Sequence, residues 1–275
     1  MPNVSLTPFR KASSFRRIAA MAWGNPSDPS IYGTMHIPGE ALHAWLEARK
    51  AEGQRLTVTH AVARAVALSL AEHRDLNAMV RFGKLYLRRD VDVFVQVAIP
   101  SEEHVGKTDL SGVVIRQADG KSIDAIADEI RAGAKKIRRN EDAEFRRTKA
   151  QAEAIPTFLY RWLLKLVEFL QFALNVDTSF LGAPRDPFGS AMVTSLGMHG
   201  VEIAYAPFFP LARCPMVVLV GALADAPAVV DGELAIQKQL TLSATFDHRI
   251  IDGFHAATFA RTIRSFLTEP ERLDG

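Results

Sequence analysis

Hydrophobic positions along the chain switch between two periods, and the switches delimit its elements. Gly39–Glu52 carries Leu42, Trp45 and Leu46 on one face, the spacing of an amphipathic helix. Thr57, Val58 and Thr59 offer N-caps for a longer helix through Glu72, with Val58, Val62, Ala65, Val66 and Ser69 as its buried stripe. Ser122 opens another through Arg138, with Ile123, Ile126, Ile130, Ala134 and Ile137 at helical spacing, and Asp252–Leu267 is amphipathic as well. Alternation takes over elsewhere. Ile31–Ile37 reads as a strand, Met79–Ile99 as two or three strands around a Phe82–Lys84 turn, and Val113–Arg116 as a short one. Met216–Leu223 is a continuous apolar run suited to a central strand. Glu233–Asp247 ends with Leu240, Leu242, Ala244 and Phe246 alternating against Thr241, Ser243, Thr245 and Asp247. Near the N-terminus, Asn3–Phe9 suits a strand and Arg10–Trp23 a helix stopped by GNPSDP. The pattern predicts an α/β sandwich: a mixed, mostly antiparallel sheet with helices packed on one side.

One segment departs from this alternation. Ile155–Val176 reads as a helix whose polar residues, Arg161, Lys165, Glu168, Gln171 and Asn175, fall on one narrow stripe. The rest of its surface is Leu, Phe, Trp and Val and has to be covered. Burial against its own domain or a sister subunit is the first expectation. A membrane-surface contact through 155–176 is a less favoured one, and a lipid or acyl-chain pocket is the third.

Composition narrows the class. The 275 residues suit one large domain or two small ones, able to bury a core without disulfide or metal. Thirty-three basic and 31 acidic residues leave a net charge of +2, without the basic excess of a nucleic-acid binder. The runs Lys135–Arg139 and Phe145–Lys149 read as solvated helix faces. The single cysteine, Cys214, excludes an internal disulfide framework and reads as a buried structural thiol. With no signal-peptide core at the start and no apolar run of spanning length, a cytoplasmic location is expected.

The chemistry concentrates where the last strand meets the last helix, in Asp247-His248-Arg249-Ile250-Ile251-Asp252-Gly253. A histidine on a strand-to-helix turn stands at a rim rather than in a core. Asp252 can hold the turn, and Gly253 admits close approach of backbone or substrate. Alone, such a histidine is more often structural. The other histidines, at 36, 43, 60, 73, 104, 199 and 255, show no metal-ligand spacing, so no metal is expected. His199 reads as a surface turn.

DHRIIDG resembles the DHR-x-x-DG motif of the acyltransferase core of 2-oxoacid dehydrogenase complexes, in the chloramphenicol acetyltransferase-like superfamily; DGFH, Asp252–His255, is similar to the shorter form in chloramphenicol acetyltransferases. The likeness extends over Leu56–Ala78, Asp90–Pro100 and Val113–Ile130. It continues in Met192–Gly200, MVTSLGMHG, which resembles I-S-N-L-G-M-F-G. It covers most of the chain outside residues 140–188. It implies one acyltransferase catalytic domain over 1–275, with a hydrophobic helical insertion at about 145–188. It also implies a chloramphenicol acetyltransferase-like, trimer-forming fold, with sites between subunits.

By this resemblance His248 is the general base and Thr194 the oxyanion-binding hydroxyl, with Ser195 in reserve. Asp252 pairs with Arg16 or Arg17 to hold the histidine's loop. The substrates implied are coenzyme A or acyl-CoA and a thiol (dihydrolipoyl-type) or hydroxyl acceptor. The proton chemistry is compatible: a thiol titrates near 8.5 and an imidazole near 6.5, so full transfer is uphill by about 2.7 kcal/mol, within reach of general-base catalysis.

The sequence departs from the multidomain pattern by lacking lipoyl and subunit-binding segments and the longer apolar C-terminus of the large cores. The expectation is therefore an isolated homotrimer that meets any lipoyl group on a separate protein. The rival readings are an antibiotic-type O-acetyltransferase and a non-catalytic scaffold or membrane-surface subunit that keeps the fold.

Overall fold

The molecule is described by a computed structural model over residues 28–100, 108–139, 156–179, 185–209, 212–230 and 232–274. The expected strand Asn3–Phe9, the helix Arg10–Trp23 and the run Phe145–Lys149 lie outside these residues.

Six strands form the main sheet: β1 (Ser30–Pro38), β4 (Val93–Pro100), β5 (Thr108–Ile115), β6 (Ala191–Ser195), β7 (Met216–Val230) and β8 (Glu233–Asp247). Their spatial order is β1-β8-β7-β6-β4-β5. β6 runs parallel to both neighbours and the remaining pairs are antiparallel, so the sheet is mixed and mostly antiparallel, as expected. β2 (Ala78–Arg81) and β3 (Lys84–Leu87) make a separate hairpin around the anticipated Phe82–Lys84 turn. Two strands are longer than their apolar runs. β5 starts at Thr108 rather than Val113. β7 continues past Leu223 to Val230, because β8 pairs with it as far as Glu233.

Four helices cover one face. They are α1 (Glu40–Ala51), α2 (Val58–Glu72), α3 (Ile123–Arg138) and, after β8, a helix at Gly253–Thr268 described below. Thr57 caps α2 by accepting the His60 amide, and Ser122 caps α3 by accepting that of Ala125; each satisfies an otherwise orphaned donor. Leu42, Trp45 and Leu46 of α1 and the predicted isoleucine stripe of α3 are buried.

α2 differs from expectation, since burial runs round nearly its whole circumference between His60 and Leu70 rather than along one stripe. Arg64 is the consequence. It is 2% exposed and donates from Nε to the Leu273 carbonyl at 3.2 Å and from Nη1 to those of Ala118 and Asp119 at 3.1 and 2.9 Å. A buried guanidinium is tolerable only with such partners.

The helices' apolar residues join Val93, Val95, Ala191, Val193, Val218, Val220, Leu240 and Leu242 in one core. Fully burying a large aliphatic side chain there contributes about 1.5–3 kcal/mol. Because side chains alternate along a strand, the neighbours Phe94, Met192 and Val217 emerge on the sheet's other face, against Phe188 and Phe208.

The predicted helix over Ile155–Val176 is shorter. It spans α4 (Thr157–Glu168), passes into a single π turn at Phe169–Ala173 and stops before Asn175, whose φ is +59°. Its polar stripe is also divided. Arg161 and Lys165 face solvent, whereas Glu168 pairs with Arg213 and the Gln171 side chain donates to Thr178 at 2.7 Å. Among the described residues, Phe158, Trp162 and Leu166 of its apolar surface are exposed. Among the described residues, no helix is long and apolar enough to cross a membrane. The helix after β8, Gly253–Thr268, is α5 and buries Phe259, Ile263, Phe266 and Leu267.

Candidate active site

Backbone hydrogen bonds fix the turn that follows β8. The Asp247 amide donates to Pro215 O and the His248 amide to Pro29 O, both at 2.9 Å, while the Asp247 carbonyl accepts from the amides of Ile250 and Ile251. Asp247 is buried and holds the Arg249 guanidinium with both oxygens, Nη2 to Oδ2 at 2.6 Å and Nε to Oδ1 at 2.9 Å. The turn is thereby braced from two strands and by its own ion pair. His248 stands exposed on it.

The ring of His248 is oriented from below. Its Nδ1 lies 3.0 Å from the carbonyl oxygen of Ile251. A carbonyl can only accept, so Nδ1 carries the hydrogen and the neutral ring keeps its lone pair on Nε2. A fixed tautomer with a free basic nitrogen at an exposed strand end is suited to accept a proton from an incoming group.

Among the described residues, Asp252 is bonded locally. It is the N-cap of α5, accepting the His255 amide at 2.9 Å, and its carboxyl pKa is lowered chiefly by that bond. Its Oδ1 also lies 2.8 Å from His255 Nδ1. Arg16 and Arg17 fall outside the described residues. Gly253 is the first residue of α5, and an added Cβ would meet nothing within 4 Å, so the space above it is open.

Thr194 and Ser195 end β6 and line a groove of about 2070 Å³ that draws on both sides of the sheet, with Phe94 and Met192 from one and His60 of α2 and Ile130 of α3 from the other. Alternation separates the two: Thr194 shares the face of Met192, whereas Ser195 shares that of Val193, which belongs to the helix-side core. The strand end is tightly confined. A Cβ on Gly197 would come within 2.4 Å of the Gly221 carbonyl oxygen, so only glycine fits this approach. His199 is exposed on the following turn and also lines the groove.

The basic run of α3 has a location that sequence alone did not suggest. Lys135, Arg138 and Arg139 stand at the groove's rim, as do Arg55 and Arg131, while Phe94, Met192, Val217 and Leu219 form an apolar floor.

His60 lines the same groove, and burial, with a smaller contribution from Arg131, pushes its pKa down to about 4. The unfolded chain takes up the proton near the ordinary value of 6.5. Stability is therefore complete above about pH 6.5 and is lost as pH falls toward 4, by about 3 kcal/mol. Urea unfolding between pH 7 and 4 is expected to show this loss, and His60→Leu to flatten it. Cys214 is buried, which pushes its thiol up to about 12 and removes it as a nucleophile. Among the described residues, no group of three or more His, Cys, Asp or Glu could hold a metal ion.

His248 and Thr194 do not meet within one chain. Thr194 lies level with Leu219, and Leu219 with Ser243 two strands away. His248 is five residues beyond Ser243, roughly 17 Å along the strand at ~3.3 Å per residue.

The family model described as 2-oxoacid dehydrogenases acyltransferase (catalytic domain) matches residues 3–145 and 188–274. A dihydrolipoyllysine-residue acetyltransferase component of the acetoin cleaving system of Bacillus subtilis is 27% identical over 228 residues, 82% of this chain and 45% of that protein. A lipoamide acyltransferase component of the branched-chain alpha-keto acid dehydrogenase complex of Pseudomonas putida is 36% identical over 80 residues, 28% of this chain and 18% of that protein. The chain thus spans less than half the length of either curated relative. Among solved structures, the cubic core of a pyruvate dehydrogenase multienzyme complex superposes with a TM-score of 0.64 at 21% identity, covering 99% of each chain. A probable dihydrolipoamide acetyltransferase from Listeria monocytogenes gives 0.63 at 20%, covering 97% of this chain and 95% of that one. These two likenesses establish the shared fold.

Proposed function

Since the chain belongs to the family of catalytic acyltransferase domains of 2-oxoacid dehydrogenases, we propose that it moves an acyl group between coenzyme A and a dihydrolipoyl thiol, with His248 as general base. The observation that carries the reading is the bond between His248 Nδ1 and Ile251 O, which leaves Nε2 free to take a proton. Nε2 accepts the proton of the attacking thiol as its sulfur bonds to the thioester carbonyl carbon. The tetrahedral oxyanion accepts a hydrogen bond from the Thr194 hydroxyl, a contact of the kind that contributes about 3 kcal/mol. Collapse expels the other sulfur as a thiolate, which takes the proton back from His248.

The active unit in this reading is a homotrimer, each site pairing His248 of one subunit with Thr194 of the next. The distance between the two residues in one chain supports this arrangement. The groove supports binding of a long substrate with an anionic end, through its apolar floor and cationic rim. Asp252 acts indirectly, by fixing the start of α5 below the histidine turn. The lipoyl group arrives on another protein, and the cytoplasm is the proposed compartment.

The test is thiol release from acetyl-CoA with dihydrolipoamide as acceptor, run beside hydroxylated acceptors. Turnover is expected with the dithiol. Turnover confined to a hydroxyl acceptor, or none with either, contradicts the reading.

A further inference from the structure

Residues 146–187 fall between the two stretches matched by the family model, and α4 lies among them. One side of α4 is anchored. Glu168 pairs with Arg213, Arg81 Nη2 donates to the Ala173 carbonyl at 2.8 Å, and Phe172 is buried. The opposite side faces solvent. Phe158 is 73% exposed and Trp162 68%, with Leu159, Leu166 and Phe169 between 49% and 53%. At 100° per residue these five occupy one continuous sector, and Arg161 and Lys165 flank it along one edge. Lys165 Nζ lies 5.5 Å from the centre of the Trp162 ring. Glu168 is the helix's one acidic residue, and its charge is taken by Arg213. The β2–β3 hairpin, tied to the end of the helix by Arg81, adds exposed Phe82, Leu85 and Leu87 together with Lys84.

We propose that this face docks on an anionic lipid bilayer, with α4 lying in the plane of the interface. The assignment rests on charge complementarity. Aromatic and leucine side chains can enter the boundary between headgroups and acyl chains, while the flanking cations reach lipid phosphates. Twelve residues make a helix of about 18 Å, which can lie on a membrane but not span it. Arg213, the anchor of α4, also lines with Asp247 and Arg249 a cavity of about 170 Å³. Docking would therefore hold the His248 end of the sheet near the lipid surface. The inference does not depend on the acyl-transfer reading.

The experiment is co-sedimentation of the full chain with phosphatidylcholine vesicles, with and without phosphatidylglycerol. The two helix cations, Arg161 and Lys165, alone predict a roughly thirtyfold preference for the anionic vesicles, weakening as salt is raised. Phe158→Glu/Trp162→Glu and Arg161→Glu/Lys165→Glu are each expected to lower partitioning by about tenfold or more, with oligomeric state and circular dichroism unchanged. All four positions are solvent-facing. Failure of the wild-type chain to sediment with anionic vesicles, or sedimentation of both variants equal to that of the wild type, would overturn the proposal. So would a change in oligomer size of either variant without lipid, which would assign the face to a subunit contact.

Discussion

Replacing His248 by alanine is expected to lower kcat for acyl transfer from acetyl-CoA to dihydrolipoamide by about 10²–10⁴-fold, the usual contribution of a positioned general base. KM should move little, because the imidazole acts on a proton in flight rather than on bound substrate. Stability should also hold, within about 0.5 kcal/mol, since the side chain is exposed and the turn is braced by other groups. That combination, an intact fold and a collapsed kcat, separates a catalytic role from a structural one. Full activity in His248→Ala would remove the assigned base.

Thr194→Ala is expected to lower kcat by about 10²–10³-fold, the effect of deleting one oxyanion donor. Thr194→Ser keeps the hydroxyl and should retain most of the activity. Ser195→Ala should have a small effect, because alternation directs Ser195 to the helix-side face with Val193. Steady-state kinetics on the three variants ranks the hydroxyls. A larger loss from Ser195→Ala than from Thr194→Ala would move the donor role to Ser195.

What was legible in the sequence follows from range. Thr57 and Ser122 are local caps, and the α1 and α3 faces and the alternation of β8 are local patterns, so each was read correctly. Arg64 was not, because its acceptors, Leu273, Ala118 and Asp119, come from remote segments that only the fold brings together. The cations of 135–139 read as solvated. They are accessible, and the association of α3 with β5 sets them beside the groove.

The hydrophobic segment concealed its own interruption. An unbroken apolar run gives no sign of a π turn at Phe169–Ala173 or of the left-handed Asn175. It also did not reveal that Glu168 turns inward while Arg161 and Lys165 turn out. At the histidine turn, motif likeness singled out His248 and Thr194, but the ring's tautomer needed the Ile251 carbonyl and their separation needed the strand register. The capping bond of Asp252 to the His255 amide, a property of the α5 terminus, was not read from the sequence.

The proposed site is assembled from His248 of one subunit and Thr194 of its neighbour, and subunit mixing addresses this directly. His248→Ala and Thr194→Ala chains, co-expressed in equal amounts, each lack one half of the site. Random assembly would pair an intact histidine with an intact threonine at about one quarter of the interfaces. The mixed trimers are therefore predicted to recover about a quarter of wild-type thiol release. Mixed trimers no more active than the separate variants would contradict the shared site.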